Sequence, residues 1–170
     1  MSTLIATTLQ GINTIKRDAN TTAIAIDSAG RVTEPTKPQW KINCTSQAIT
    51  TSTWTLMNAT SAVYNIGSHY NTSTKKFVCP VAGVYYVYGQ WFGSVTNNRA
   101  ISSFYKNGTR IYEMLTRGTD QNGGGTYYGS TTIQCAVNDE IQWYGYHENG
   151  SNVTTNANGN LTHWGGYLIG

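Results

Sequence analysis

The sequence predicts an all-β protein, a sandwich or jelly roll of about ten strands preceded by a short β appendage. Three observations carry this expectation. Only 11% of the 170 residues are charged, against roughly 25% in ordinary globular chains. Polarity comes instead from Thr, Asn, Ser and Gly, which suit strands and tight turns rather than helices. Finally, Gly83 to Gly93 alternates Val84, Tyr86, Tyr88 and Phe92 with Tyr85, Val87 and Trp91. Such a strand is apolar on both faces, so one face belongs in a core and the other against something else.

From the N-terminus, residues 1–33 form the first block. Met1 to Thr8 has neither a basic n-region nor an apolar h-region and does not read as a secretory signal. Thr22 to Val32 reads as strand, turn and strand, with Ile24 and Ile26 alternating with Ala and a turn at Asp27-Ser28-Ala29-Gly30. A segment this small has no core of its own and must intertwine with copies of itself or dock on another protein. Residues 34–39 hold Pro35 and Pro38 and read as an extended, semi-rigid linker.

The head spans 40–170. Trp40 to Cys44 is its first strand, and Thr-rich 48–60 gives short strands or an ordered loop around Trp54. Val63 to Asn71 and Gly83 to Gly93 are strands. Ala100 to Lys106 and Thr109 to Thr116 form a hairpin about Asn107-Gly108, two residues that tolerate positive φ. Gly118 to Gly125 is a flexible loop. Thr126 to Val137 and Glu140 to His147 form a second hairpin about Asn138-Asp139. Residues 148–160 are a long polar loop, and Leu161 to Ile169 closes the sheet.

Several function classes lose support from the residues themselves. A net charge of +3 without a Lys/Arg run does not argue for nucleic acid. No window approaches the roughly 20 apolar residues of a membrane span. Cys44, Cys79 and Cys135 are far apart, lie on expected strands, and read as buried small hydrophobes; without a CxxC pair there is no zinc site. There is no nucleophile elbow, HExxH or P-loop. Asp139 and Glu140 are adjacent at a turn, which does not suit paired carboxylate chemistry across a cleft. The expectation is a protein without catalytic residues, cofactor or metal.

Four blocks resemble the C1q family. Tyr70-Asn71 through Lys76-Phe77-Val78-Cys79-Pro80-Val81-Ala82-Gly83-Val84-Tyr85-Tyr86 is similar to its "YN…TGKFxCPVPGxYYF" run. Phe104 to Ile111 resembles "LxKNGxxV". Gly129 to Trp143 resembles "GSxxLxLxxGDxVWL", with Asn138 in place of the Gly, and His163 to Ile169 resembles "FSGFLL". The resemblance implies a C1q/TNF-like jelly roll whose heads are threefold trimers packed through aromatic faces. Periodicity alone equally allows a wide core with tyrosine hydroxyls reaching solvent. On the resemblance, Tyr86, Tyr88, Tyr144 and Tyr167 are the expected trimer contacts. Family members can bind Ca²⁺ near the apex, but the 147–152 loop offers one carboxylate, and Ca²⁺ wants six to eight oxygens.

Ala25-Ile26-Asp27-Ser28-Ala29-Gly30-Arg31-Val32-Thr33 resembles leader segments of phage tail and fibre proteins, particularly from phages of marine bacteria and cyanobacteria. Together the resemblances imply a virion-surface protein assembled in the bacterial host cytoplasm, anchored to another virion protein by residues 1–33. Its homotrimeric head would bind a host-surface glycan or protein. The expected ligand contacts are Arg99, Arg117, Tyr127, His147, Asn149 and Asn152, from polar loops with interleaved aromatics. The rival readings are a capsid or tail decoration without receptor role, a cellular C1q-like binding module, and a polysaccharide-acting enzyme.

Overall fold

The computed structural model describes residue 11, residues 13–119 and residues 124–170, with the side chains of 97 and 115–119 excepted. The chain divides into two units, Met1–Lys37 and Pro38–Gly170.

In the first unit, β1 (Thr14–Lys16), β2 (Thr22–Ile26) and β3 (Val32–Thr33) form an antiparallel sheet in that order. Asp27 makes the second turn, its carboxylate accepting from the backbone N–H groups of Ala29 and Arg31 and from the Arg31 guanidinium. The register sets Ile15 opposite Ile24 and Ile26 opposite Val32. Directly opposed residues share a face, as do residues two apart, so all four aliphatic side chains stand on one side. Ile15 and Val32 are about half exposed or more, and among the described residues of this unit nothing covers that side.

Among the described residues the second unit holds thirteen further strands: β4 (Gln39–Cys44), β5 (Ala48–Ile49), β6 (Thr55–Leu56), β7 (Ala59–Ile66), β8 (Tyr70–Asn71), β9 (Lys76–Val78), β10 (Gly83–Gly93), β11 (Thr96–Lys106), β12 (Thr109–Thr119), β13 (Gly125–Cys135), β14 (Glu140–His147), β15 (Val153–Thr154) and β16 (His163–Leu168). They make a five-stranded sheet, order β13-β10-β16-β4-β7, and a six-stranded one, order β12-β11-β14-β9-β8, with β6 on β14 and a small β15-β5 pair. Every pairing is antiparallel. Sequence-distant neighbours such as β10 and β16 are the crossovers of a jelly roll. The excess over the expected strand count comes from two- and three-residue strands. The segment expected as one strand from Val63 to Asn71 is β7 and β8, broken by positive φ at Gly67 and Ser68. The expected Gly118–Gly125 loop is shortened by strands that run to Thr119 and restart at Gly125, and residues 120–123 lie outside the described residues.

The core lies between the two sheets. Trp40, Trp91 and Trp164 come from the five-stranded sheet and meet Phe77, Phe104 and Trp143 from the other, all buried. Trp40 stacks on Phe77 with centroids 3.7 Å apart, and Trp91 donates Nε1–H to the Ile101 carbonyl at 3.2 Å. Trp143 donates Nε1–H to Ser102 Oγ at 2.7 Å, which satisfies a donor that would otherwise be costly in the core. The β11–β12 hairpin turns at Asn107 and Gly108 with φ of 51° and 77°. The second hairpin turns at Asn138, φ 68°, where the Asp139 carboxylate accepts from the Ala136 N–H and the Asn107 amide.

Candidate functional site

Alternation along β10 sends Tyr85, Val87 and Trp91 into the core and leaves Val84, Tyr86, Tyr88 and Phe92 half-buried on the outward face of the five-stranded sheet. Tyr167 on β16 pairs directly with Tyr86, and their rings lie 5.4 Å apart. Tyr88 lies 6.2 Å from Tyr86 and meets the His163 ring edge-on at 6.2 Å. Tyr88 can lie low across the sheet because β16 carries Gly165, where a Cβ would fall 2.7 Å from its hydroxyl. Burial pushes the Tyr88 phenol up, helped by a hydrogen bond with Tyr64 on β7. Burial also holds the His163 imidazole below its ordinary value, aided by the Lys41 cation; its Nδ1 lies 2.8 Å from the Gly159 carbonyl oxygen.

This face is rich in tyrosine and open. Tyr64, Tyr128 and Tyr167 are 40, 61 and 45% exposed. Between β10 and β13, small Ser130 separates Tyr88 from Tyr128 and leaves a groove of about 330 Å³ walled by Tyr86, Tyr88, Gln90 and Tyr128. Phenols give a large apolar area with a polar tip, the chemistry of a protein contact surface.

Of the four expected trimer tyrosines, three share this face and one does not. Tyr144 lies on β14, on the outward side of the opposite sheet, 4.1 Å from Tyr105. It therefore cannot contribute to the same surface as Tyr86, Tyr88 and Tyr167. It belongs to a second aromatic shelf that the sequence reading did not assemble. There Trp54 leans on Tyr146 at 4.7 Å and carries the Arg110 guanidinium 4.5 Å from its ring. The available signal was Trp54 in a Thr-rich stretch, together with Tyr144 and Tyr146 alternating with core residues.

The expected ligand contacts do gather at one end of the sandwich, with different roles from those expected. His147 is fully buried. Its Nδ1 accepts from the Asn149 N–H at 3.1 Å, so the ring proton sits on Nε2, which faces the Ile49 carbonyl at 2.8 Å. It fixes the loop after β14 and does not reach solvent. Tyr127 is likewise buried, its ring tilted against Trp91 with centroids 4.4 Å apart and its hydroxyl donating to the Val95 carbonyl at 3.2 Å. The side chain of Asn149 accepts from Thr96 N–H at 2.9 Å, and that of Asn152 accepts from Thr51 N–H at 3.4 Å. Arg99 remains about half exposed, bridged to Glu148 at 3.0 Å. Arg117 pairs with Arg99 across β11 and β12; its side chain lies outside the described residues. The sequence rule that polar loops hold ligand contacts missed that these loops need their polar side chains to satisfy their own backbone. Among the described residues no three His, Cys, Asp or Glu side chains converge on a common point.

No curated protein matches the sequence. Solved structures do match in fold. The globular domain of zebrafish complement 1qA is 12% identical, covering 79% of this chain and 98% of that one, with a TM-score of 0.57. Murine APRIL at pH 8.0 is 13% identical, with 78% and 98% covered and a TM-score of 0.58. The Eiger TNF of S. frugiperda is 6% identical, with 79% and 93% covered and a TM-score of 0.58. At such identities the likeness speaks to the fold: a two-sheet jelly roll shared across these proteins. The sequence match is to the C1q domain over residues 42–169, and since that is most of the head, this chain belongs to the C1q domain family.

Proposed function

We propose that the chain is a non-enzymatic binding protein of a phage virion, a homotrimer in which the tyrosine face is the contact between copies. The observation that carries the proposal is that face: exposed Tyr64, Tyr128 and Tyr167 and half-buried Tyr86 and Tyr88 share one side of one sheet of a single chain. Water-facing sheet sides are ordinarily polar, so a face like this is one that associates. C1q and TNF folds supply the expectation that association is threefold. In the first unit, the shared side of Ile15, Ile24, Ile26 and Val32 fits the same reading. Three such sheets bury against one another what one cannot, and the assembly anchors the head to a further virion protein.

The recognition surface in this reading is the end of the sandwich bearing Arg99, Arg117 and Asn152, which a trimer presents three times. Weak single contacts to a host-surface glycan or protein then gain from avidity. The phage assignment is supported by the leader resemblance within residues 25–33. The cellular C1q-like reading draws on the same fold and differs in the partner. Adsorption competition tests the proposal. Purified full-length protein, added to susceptible cells before the phage that encodes it, is expected to block adsorption saturably, with the block weakened by Arg99→Ala and Asn152→Ala. Absence of both cell binding and competition would remove the receptor role and leave a decoration protein or a cellular module.

A further inference from the structure

Two of the three cysteines meet at the end of the sandwich opposite the Arg99 loops. Cys79 follows β9 in the six-stranded sheet; its N–H donates to the Asp139 carbonyl, and its carbonyl accepts from the Asn138 N–H, both at 2.8 Å. Cys135 is the last residue of β13 in the other sheet, directly opposite Gly83. The Asn138-Asp139 turn begins three residues after Cys135 and is thus the piece of chain that holds Cys79. Both side chains are buried in the common core, Cys79 at 0% and Cys135 at 2% exposure. The two side chains are neighbours within that core. Cys44 does not join them: its neighbour is Tyr70, and burial alone pushes its thiol up to about 12.

We propose that Cys79 and Cys135 are a disulfide-forming pair, closed by a small hydroperoxide, that bolts the two sheets of the folded head together. The thiolate is the nucleophile, so the reaction begins at whichever of the two sulfurs has lost its proton. That sulfur takes one oxygen from hydrogen peroxide, giving sulfenic acid and hydroxide, which collects the thiol proton as water. The sulfur of the other cysteine then attacks it, forming the S–S bond and expelling the second oxygen as water. Two thiols and one peroxide become one disulfide and two waters, the protein losing two electrons and two protons.

The test uses full-length protein treated with hydrogen peroxide in its folded state, then denatured, alkylated and mapped by non-reducing peptide mass spectrometry. The expected result is a fall from three alkylatable thiols to one, at Cys44, with a Cys79–Cys135 cross-link within one chain. Cys44→Ser should react as the parent does, and Cys79→Ser or Cys135→Ser should yield no bridge. The bridge should raise Tm by about 5 °C or more, because it closes a long loop between the layers. If either cysteine variant fails to fold, the Cys44→Ser map still decides. Retention of all three thiols in folded protein, cross-links through Cys44, or cross-links only between chains would overturn the proposal.

Discussion

Gly89 gives the sharpest quantitative prediction, because it lies beneath both the tyrosine groove and the central core. It pairs with Gly129 under the groove floor, and a Cβ at position 89 would stand 2.5 Å from Trp143 Cε2 and 2.6 Å from its Nε1. Carbon atoms pack best at about 3.5–4.0 Å, so Gly89→Ala forces the Trp143 ring back by about 1 Å. The ring is 1% exposed and held by the 2.7 Å hydrogen bond to Ser102 Oγ. Retreat by that amount breaks the bond and strands a buried N–H. Overpacking costs about 1–3 kcal/mol and the stranded donor about 1–3 kcal/mol, so Gly89→Ala should lose about 2–6 kcal/mol. At matched protein concentration that is a Tm drop of roughly 6–18 °C. Chemical denaturation measures it directly. Gly108→Ala is the control: nothing lies within 4 Å of its Cβ, and its φ of +77° leaves only backbone strain, about 1–2 kcal/mol. Adding Trp143→Phe to Gly89→Ala should cost less than Trp143→Phe alone, since the clash is shared. A Gly89→Ala loss under about 0.5 kcal/mol, the scale of an ordinary surface change, would refute the packing account.

Two further predictions concern the two ends of the sandwich. The Asn107 amide, then the Ala136 N–H and the Lys106 cation, hold the Asp139 carboxyl below its ordinary value of 3.8. A carboxyl lowered by folding contributes stability that is fully present above that value and lost as pH falls through its folded one. Asp139→Asn should therefore be less stable than the parent at pH 7 in urea titrations, with the gap narrowing as pH falls below 3.8; a gap independent of pH would contradict this. At the other end, Asn149→Ala removes the acceptor of the Thr96 N–H, so hydrogen exchange at Thr96 should quicken at a cost of about 1 kcal/mol; unchanged exchange would show the loop is held elsewhere.

The parts of this fold legible in the sequence are those where one strong local signal decides. The β10 faces followed from alternation, and the bounds Gly83–Gly93 and Glu140–His147 are those expected. The Asn107-Gly108 turn followed from the two residues that accept positive φ. What escaped needed tertiary partners. Strand β1 has only Ile15 as an aliphatic residue and exists by pairing with β2; Val153–Thr154 in the long polar loop is a strand because Ala48–Ile49 lies beside it. The same limit governs the site. Periodicity told that Tyr144 stood apart from Trp143, but not which sheet would carry it outward. His147 and Tyr127 looked like loop and face residues because burial by a folded-over loop leaves no periodic trace. Tyr86, Tyr88 and Tyr167 came together because β10 and β16 pair, a contact between residues about eighty positions apart.

Sedimentation equilibrium of the full chain and of its Tyr88→Glu and Tyr167→Glu variants tests the tyrosine face most directly. Contact through this face predicts a parent mass three times the 18.6 kDa of one chain at micromolar concentration. Both variants should shift to single chains while circular dichroism retains the β signal, because each places a charge on a desolvated contact without touching the core. A parent that sediments as a single chain, or a trimer that both glutamates leave intact, would contradict it.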